Sequence, residues 1–269
     1  MQIRKLNFTL EGPEITEWIE GNPFKTQLFN AISMSFPFGE SYFIKSFKQL
    51  LNAGLIKNPL LLEKIRLFSA QEALHSAIHL EFNNYLLKKG LPFTLGRWFE
   101  ARRNFCDKIF SIRTQLAVTM AYEHVTAALS HANLKYGWVN DVRDPNIKRM
   151  WNWHSAEEIE HSSVAYELYQ EVNGGYAMRL FGMAFTLASF SFDYSVQTII
   201  NLWKTGNLFK SKTFLGAISF LFGRQGMFWI MTGMLFSYLS PKWKPTEVAN
   251  EYATEWIKTH QDEFRVIKQ

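Results

Sequence analysis

The sequence predicts an all-α protein, a four-helix bundle with additional apolar helices after it. Apolar residues in LLLEKIRLFSAQEALHSAIHLEFNNYLL recur three and four apart, the period of a helix with one buried face. No stretch shows the period of two that a half-buried strand needs. Gly, Pro and Asn gather at GNP (21–23), NAG (52–54), KNP (57–59), KKGLP (88–92), RDPN (143–146) and NGG (173–175), and divide the chain into long helical segments. With 269 residues and 47% hydrophobic content, the chain can bury a sizeable core without disulfides. Cys106 has no second cysteine to pair with, which fits a reducing compartment.

The first helix is expected to open within SFPFGESYF, with Ser35 as N-cap and Pro37 in the first turn, where its fixed φ is suited. Glu40 then lies about one turn in. The second helix should run from near Pro59 to Lys89, the third unbroken from about Leu95 to Tyr136, and the fourth from about Pro145 to Val172. Two apolar helices follow, at roughly 176–203 and 213–239, then a polar one from about Thr246 to Phe264. A single domain over 1–269 is expected, with the bundle at about 24–173 and the additional helices at about 176–265.

Lys and Arg number 29 against 24 Asp and Glu, a net +5, but they are scattered, so no nucleic-acid footprint is expected. The segment MQIRKLNFTLEGPEITEW lacks the apolar stretch of a secretory signal and carries acids, unlike a transit peptide, so a cytoplasmic protein is expected. Aromatics reach 16%, and much of the excess lies in LFGMAFTLASFSFDY and FLGAISFLFGRQGMFWIMTGMLF. A spanning helix wants about 18 uncharged apolar residues. Arg179 and Asp193 interrupt the first run, and Arg224 with Gln225 bisects the second. Buried core helices are therefore expected, with peripheral membrane contact, a true spanning segment and a homodimer interface as the alternatives.

The chemistry lies in a repeated spacing. Glu72 and His75 on the second helix, and Glu158 and His161 on the fourth, each form Glu-x-x-His, and residues three apart share a helix face. This is how ferritin-like bundles bind paired iron or manganese, with one more Glu from each of two other helices. Glu40 and the mid-helix Glu123 supply those acids in sequence order. Taken singly, each has a plain reading as a solvated pair, a cross-bundle hydrogen bond or a first-turn acid. Their conjunction on four successive helices predicts two metal ions, iron by preference with manganese or zinc as alternatives. A buried carboxylate is costly unless an ion takes up its lone pairs.

His154 shares the stripe of Glu158 and His161 and is the expected seventh ligand, while His79, one turn beyond His75, is either a ligand or a hydrogen-bond partner to one. His124 and His131 lie about 100° around the helix from Glu123 and read as structural or surface residues. Glu157, Glu160, Glu81 and Glu63 read as solvated acids. Trp151, Trp153 and Tyr122 read as packing, with pocket lining as the alternative.

FPFGESYF, FSAQEALHSAIH, the mid-helix Glu123 and WNWHSAEEIEHSSVAYELY resemble the bacterial family of predicted metal-dependent hydrolases, from about Phe24 to Pro245. SYLSPKWKP resembles the end of that family. More distantly, His154-x-x-x-Glu158-x-x-His161 is similar to the fourth-helix motif of di-iron N-oxygenases that oxidise aryl amines. That resemblance implies His154 as an added ligand beside Glu158 and His161, with Glu72, His75, Glu123 and Glu40 in the remaining positions, and it gives His79 no place. The leading expectation is a di-iron oxidoreductase that uses dioxygen and an unidentified electron donor on a small apolar substrate. Metal-dependent hydrolysis and non-enzymatic metal binding are the alternatives.

Overall fold

The computed structural model describes residues 1–10, 17–245 and 250–267. A short strand β1 (Arg4–Leu6) precedes two 30-residue helices, α1 (Pro23–Asn52) and α2 (Pro59–Lys88), and a short α3 (Gly96–Ile109). Next come α4 (Ile112–Tyr136), α5 (Pro145–Glu171) and α6 (Tyr176–Lys204). The described chain closes with α7 (Ser211–Phe222), α8 (Met227–Tyr238), α9 (Asn250–Thr259) and β2 (Phe264–Val266). The all-α class holds, apart from β1 and β2, which pair antiparallel with Arg4 opposite Val266. Helix α1 packs on α2 and α4, and α5 packs on the same two, so these four close a ring around a shared interior.

Helix boundaries follow local chemistry. Asn22, Asn58, Ser111 and Asp144 cap α1, α2, α4 and α5 by accepting from the first-turn backbone N–H groups. The expected start of the first helix at Ser35 is corrected: α1 begins at Pro23, and Pro37 lies in its interior. A mid-helix proline leaves the carbonyl four residues back without its donor. Here that carbonyl is Ser33, and the Asn83 side chain on α2 donates to it at 2.9 Å, while the Ser35 hydroxyl donates to Ile32 O at 2.8 Å. The unbroken third helix is corrected too, because Ser111, capping Thr114 N at 3.1 Å, starts a new helix after Phe110.

Helix α6 lies against α4 and α1, and α8 returns along α4. Arg179, near the start of α6, donates to Tyr238 O (3.1 Å) and Ser240 O (2.6 Å) at the far end of α8, which ties the two into one outer layer. The expected apolar helix at 213–239 is divided at Gly223–Gly226, and the polar helix is shortened to α9, with residues 246–249 outside the described part. The expectation that the apolar C-terminal helices are buried is overturned. Ser211–Tyr238 has the length and composition of a spanning segment but is only 11% buried in its most apolar stretch. Its inner residues Phe220, Met234 and Tyr238 join the core, whereas Phe214, Leu215, Trp229 and Phe236 face outward.

The seating of α6 depends on Gly182, where an added Cβ would stand 2.6 Å from the Ala117 carbonyl oxygen of α4. Gly182→Ala is expected to force the two helices apart and to lower unfolding free energy by about 1–3 kcal/mol, measured by chemical denaturation.

Candidate metal centre

All seven predicted ligands are buried inside the ring of α1, α2, α4 and α5. Donor atoms of Glu72, His75, Glu158 and His161 lie within 4.8 Å of one another, and so do those of Glu40, His75 and His154. Glu158 reaches both groups. Its Oε1 is 3.1 Å from His154 Nε2 and 3.6 Å from His75 Nδ1, and its Oε2 is 3.8 Å from His161 Nδ1. Glu123 Oε2 also stands 3.8 Å from His161 Nδ1, which is 2.6 Å from Glu72 Oε1. Both carboxylate oxygens of Glu40, Glu72 and Glu123 lack a hydrogen bond of ordinary geometry, as do His75 Nδ1, His154 Nε2 and His161 Nδ1. Buried lone pairs left unsatisfied and aimed at one another fit a site for cations. The residues present therefore suit a pair of metal ions.

The two Glu-x-x-His segments support each other crosswise. His75 Nε2 lies 3.0 Å from Glu157 Oε2 on α5, and His161 Nε2 lies 3.1 Å from Gln71 Oε1 on α2. Each acceptor is the residue just before the Glu of the opposite motif. With Nε2–H donating outward, each ring presents the lone pair of Nδ1 to the centre. The solvated reading of Glu157 is therefore corrected: it is fully buried, and Arg4 of β1 donates to its Oε1 at 3.1 Å. Arg4 also reaches the half-buried Glu160 at 3.4 Å. Glu63 and Glu81 are exposed, as expected.

His79 belongs to a hydrogen-bond chain behind His154. Because Asn83 Nδ2 donates to Ser33 O, its Oδ1 is the acceptor for the Ser33 hydroxyl at 2.8 Å. Ser33 Oγ then accepts from His79 Nδ1 at 2.8 Å, which leaves His79 Nε2 to accept from His154 Nδ1 at 3.1 Å. His154 is left with its Nε2 lone pair facing Glu158. The order of donors, starting from one backbone carbonyl, fixes the tautomers of both rings. Phe36 stacks on His154 at 4.5 Å and meets His79 edge-on at 4.7 Å, so neither ring can turn freely.

Charge within the metal-free centre follows from burial and pairing. Burial, reinforced by Glu72 beside Glu40 and by Glu158 beside Glu123, pushes both carboxyls well above their usual range. Glu158 moves the other way, because the imidazoles of His154 and His75 beside it outweigh its burial. Burial opposes protonation of His75, but its bond to Glu157 and the Glu158 carboxylate beside it prevail and raise it. Burial with His75 nearby lowers His154 to about 4, and burial with His154 nearby holds His79 well down, so the chain behind the site is neutral.

Several supporting residues escaped the sequence reading. Thr126 donates to Glu158 Oε2 at 2.8 Å from one turn beyond Glu123. Gln71 and Glu157 carried a signal, since the repeat extends one residue upstream as Gln/Glu-Glu-x-x-His. Arg4, Ser33 and Asn83 carried none that is local. His124 is structural, stacked on Tyr238 at 5.1 Å and edge-on to Trp243, and His131 packs against Tyr252. Trp153 packs edge-on against His75 at 4.8 Å.

A cavity of about 70 Å³ adjoins the centre, lined by Glu40 and Glu158 at its inner end, by Phe36, Phe43 and Tyr122 along its walls, and by the exposed Glu100 and Arg103 at its outer end. A second, of about 40 Å³, adjoins His154 and shares Phe36, Thr126 and Phe190 with the first. Beside the larger cavity, Arg102 pairs with Asp193 at 2.6 Å, and Trp98 Nε1 donates to the same carboxylate at 3.0 Å.

A family model described as "Predicted metal-dependent hydrolase" matches residues 2–249, and the chain belongs to that family. Comparison with curated proteins and with solved structures returns no match.

Two substitutions test the supports without touching a donor atom of the centre. Glu157→Ala should lower metal affinity about 10–100-fold in a competition titration. Asn83→Leu should do the same, and should also cost about 1–3 kcal/mol of stability by orphaning the Ser33 carbonyl.

Proposed function

We propose that the protein is a di-metal oxidoreductase, with iron the preferred pair, that uses dioxygen to oxidise a small apolar molecule in the larger cavity. Glu40, Glu72, His75, Glu123, His154, Glu158 and His161 would hold the pair, with Glu158 near the histidines of both donor groups and His79 acting through His154. This is the ligand pattern of a ferritin-like centre. The observation that carries the reading is an aromatic-walled cavity ending on Glu40 and Glu158. When bound, two iron ions would supply the electron transfers that reduction of dioxygen requires, which no side chain here can supply.

The chain's own residues divide the remaining work. Phe36, Phe43 and Tyr122 exclude water and hold an apolar substrate against the inner end of the cavity. Gln71, Glu157 and His79 fix the imidazole lone pairs before any ion arrives. Glu40, Glu72 and Glu123, raised by burial, take up or release protons as charge enters or leaves the centre.

Hydrolysis is the second reading, and the family description favours it. It calls for an activated water and a polar electrophile at the site, whereas the larger cavity is walled mainly by aromatic side chains.

Metal analysis of anaerobically purified protein, followed by oxygen uptake and optical spectra of the ferrous form, separates the two. Two irons per chain with oxygen consumption supports the oxidoreductase, and zinc or manganese with no oxygen reaction overturns it. Glu123→Ala should lose one of the two ions, and retention of both would refute the ligand set. Carboxyls held protonated above their usual range must give up protons to bind cations. Metal addition in weak buffer should therefore release protons, and affinity should fall as pH is lowered.

A further inference from the structure

We infer that the outer face formed by α6, α7 and α8 docks on an anionic lipid bilayer, lying on the membrane surface without crossing it. Phe181, Phe192, Ile199 and Trp203 of α6 are exposed and fall on one stripe, eleven, seven and four residues apart. The charged residues of this helix, Arg179 and Asp193, face inward and are buried, and Lys204 closes its C-terminal end. The outer stripe of α6 runs about 33 Å from Phe181 to Trp203, whereas the buried face carries Arg179, Thr186, Asp193, Gln197 and Asn201. The apolar stripe of an amphipathic helix normally lies against a covering surface.

Apolar side chains are exposed beyond α6 as well. Phe209 is 93% exposed, Phe236 70% and Phe214 67%, with Leu215, Ile218, Phe222, Phe228 and Trp229 also exposed. Exposed apolar side chains in this number mark an interaction surface.

Charge identifies the occupant. Between Asp193 and Glu247 the sequence holds six Lys or Arg and no acid. All six are exposed, and they sit in or beside the connections: Lys204, Lys210 and Lys212 between α6 and α7, Arg224 between α7 and α8, and Lys242 and Lys244 after α8. Lys212 pairs with Glu17 at 2.9 Å. An apolar centre with basic ends matches the layered chemistry of acyl chains beneath anionic headgroups. A second copy of the chain would present the same basic surround, and two such faces would repel one another. Spanning is disfavoured by the way the hairpin is held. Phe220 of α7 packs against Phe29 and Trp138, Tyr238 of α8 packs against His124, and Arg224 stands exposed between the helices.

Vesicle flotation tests the inference on the metal-loaded full chain. Phosphatidylcholine vesicles containing one-third phosphatidylglycerol should carry the protein up the gradient, pure phosphatidylcholine vesicles far less, and raised salt should weaken the association. Brominated acyl chains should quench the exposed Trp203 and Trp229 but not the buried tryptophans. The double variant K242Q/K244Q should lower the partition coefficient about thirtyfold. The triple variant F209S/F214S/F236S should abolish flotation while circular dichroism and metal content stay unchanged, since none of these residues lines either cavity beside the metal centre. Failure to float, equal flotation on neutral vesicles, resistance to alkaline carbonate, or a stable dimer that the triple variant dissociates would each overturn it.

Discussion

Three carboxylates and three ring nitrogens meet inside the helical ring without hydrogen-bond donors to satisfy them, and the rest of the structure accommodates that fact. Like charges at this separation cannot coexist in a low-dielectric interior unless protons or cations intervene. The helices therefore supply more than position. Each imidazole that faces the centre is held from behind by an acceptor, so its proton points away and its lone pair points in. The acceptors differ: a carboxylate backed by Arg4 stands behind His75, a neutral amide behind His161, and a second imidazole behind His154. The two halves of the centre are thus alike in backbone plan and unlike in electronic character.

The site was legible because its spacing is local and repeated. Glu-x-x-His places two donors on one helix face wherever a helix forms, and the order of Glu40, Glu72, Glu123 and Glu158 needed no knowledge of the loops. What could not be read depends on contacts between distant segments. Pro37 looked like a helix start because its own neighbourhood offers no substitute donor. That donor is Asn83, forty-six residues further on. Glu157 looked solvated because its partners, Arg4 and His75, lie on two other elements. The break at Ser111 carries no Gly or Pro to mark it, only a serine able to cap Thr114. The outer helices were misassigned for a further reason: hydrophobicity marks a need for cover without saying whether protein or something else provides it.

Pro37 shows how a helix defect can carry chemical information. The carbonyl it releases orients one amide, the amide orients a hydroxyl, and two rings then take up defined tautomers in turn. With an N–H at position 37, α1 would have bonded that carbonyl internally and left Asn83 without its acceptor. The same stretch of α1 carries Glu40, Phe36 and Ser35, the last bonded to Tyr194 of α6 at 2.9 Å. Helix defect, cavity wall and outer layer are therefore built from a few consecutive residues.

Arg4 reaches Glu157 from a strand whose partner in the sheet lies 262 positions away in the chain. Closing so long a loop carries the largest entropic cost of any pairing in this topology and belongs late in folding. The four helices can thus gather, and the carboxylates approach one another, before the brace behind His75 is in place. Maturation then has a natural sequence in time: a compact but chemically unfinished bundle comes first, and a stiff ligand cage follows when the strand pair latches.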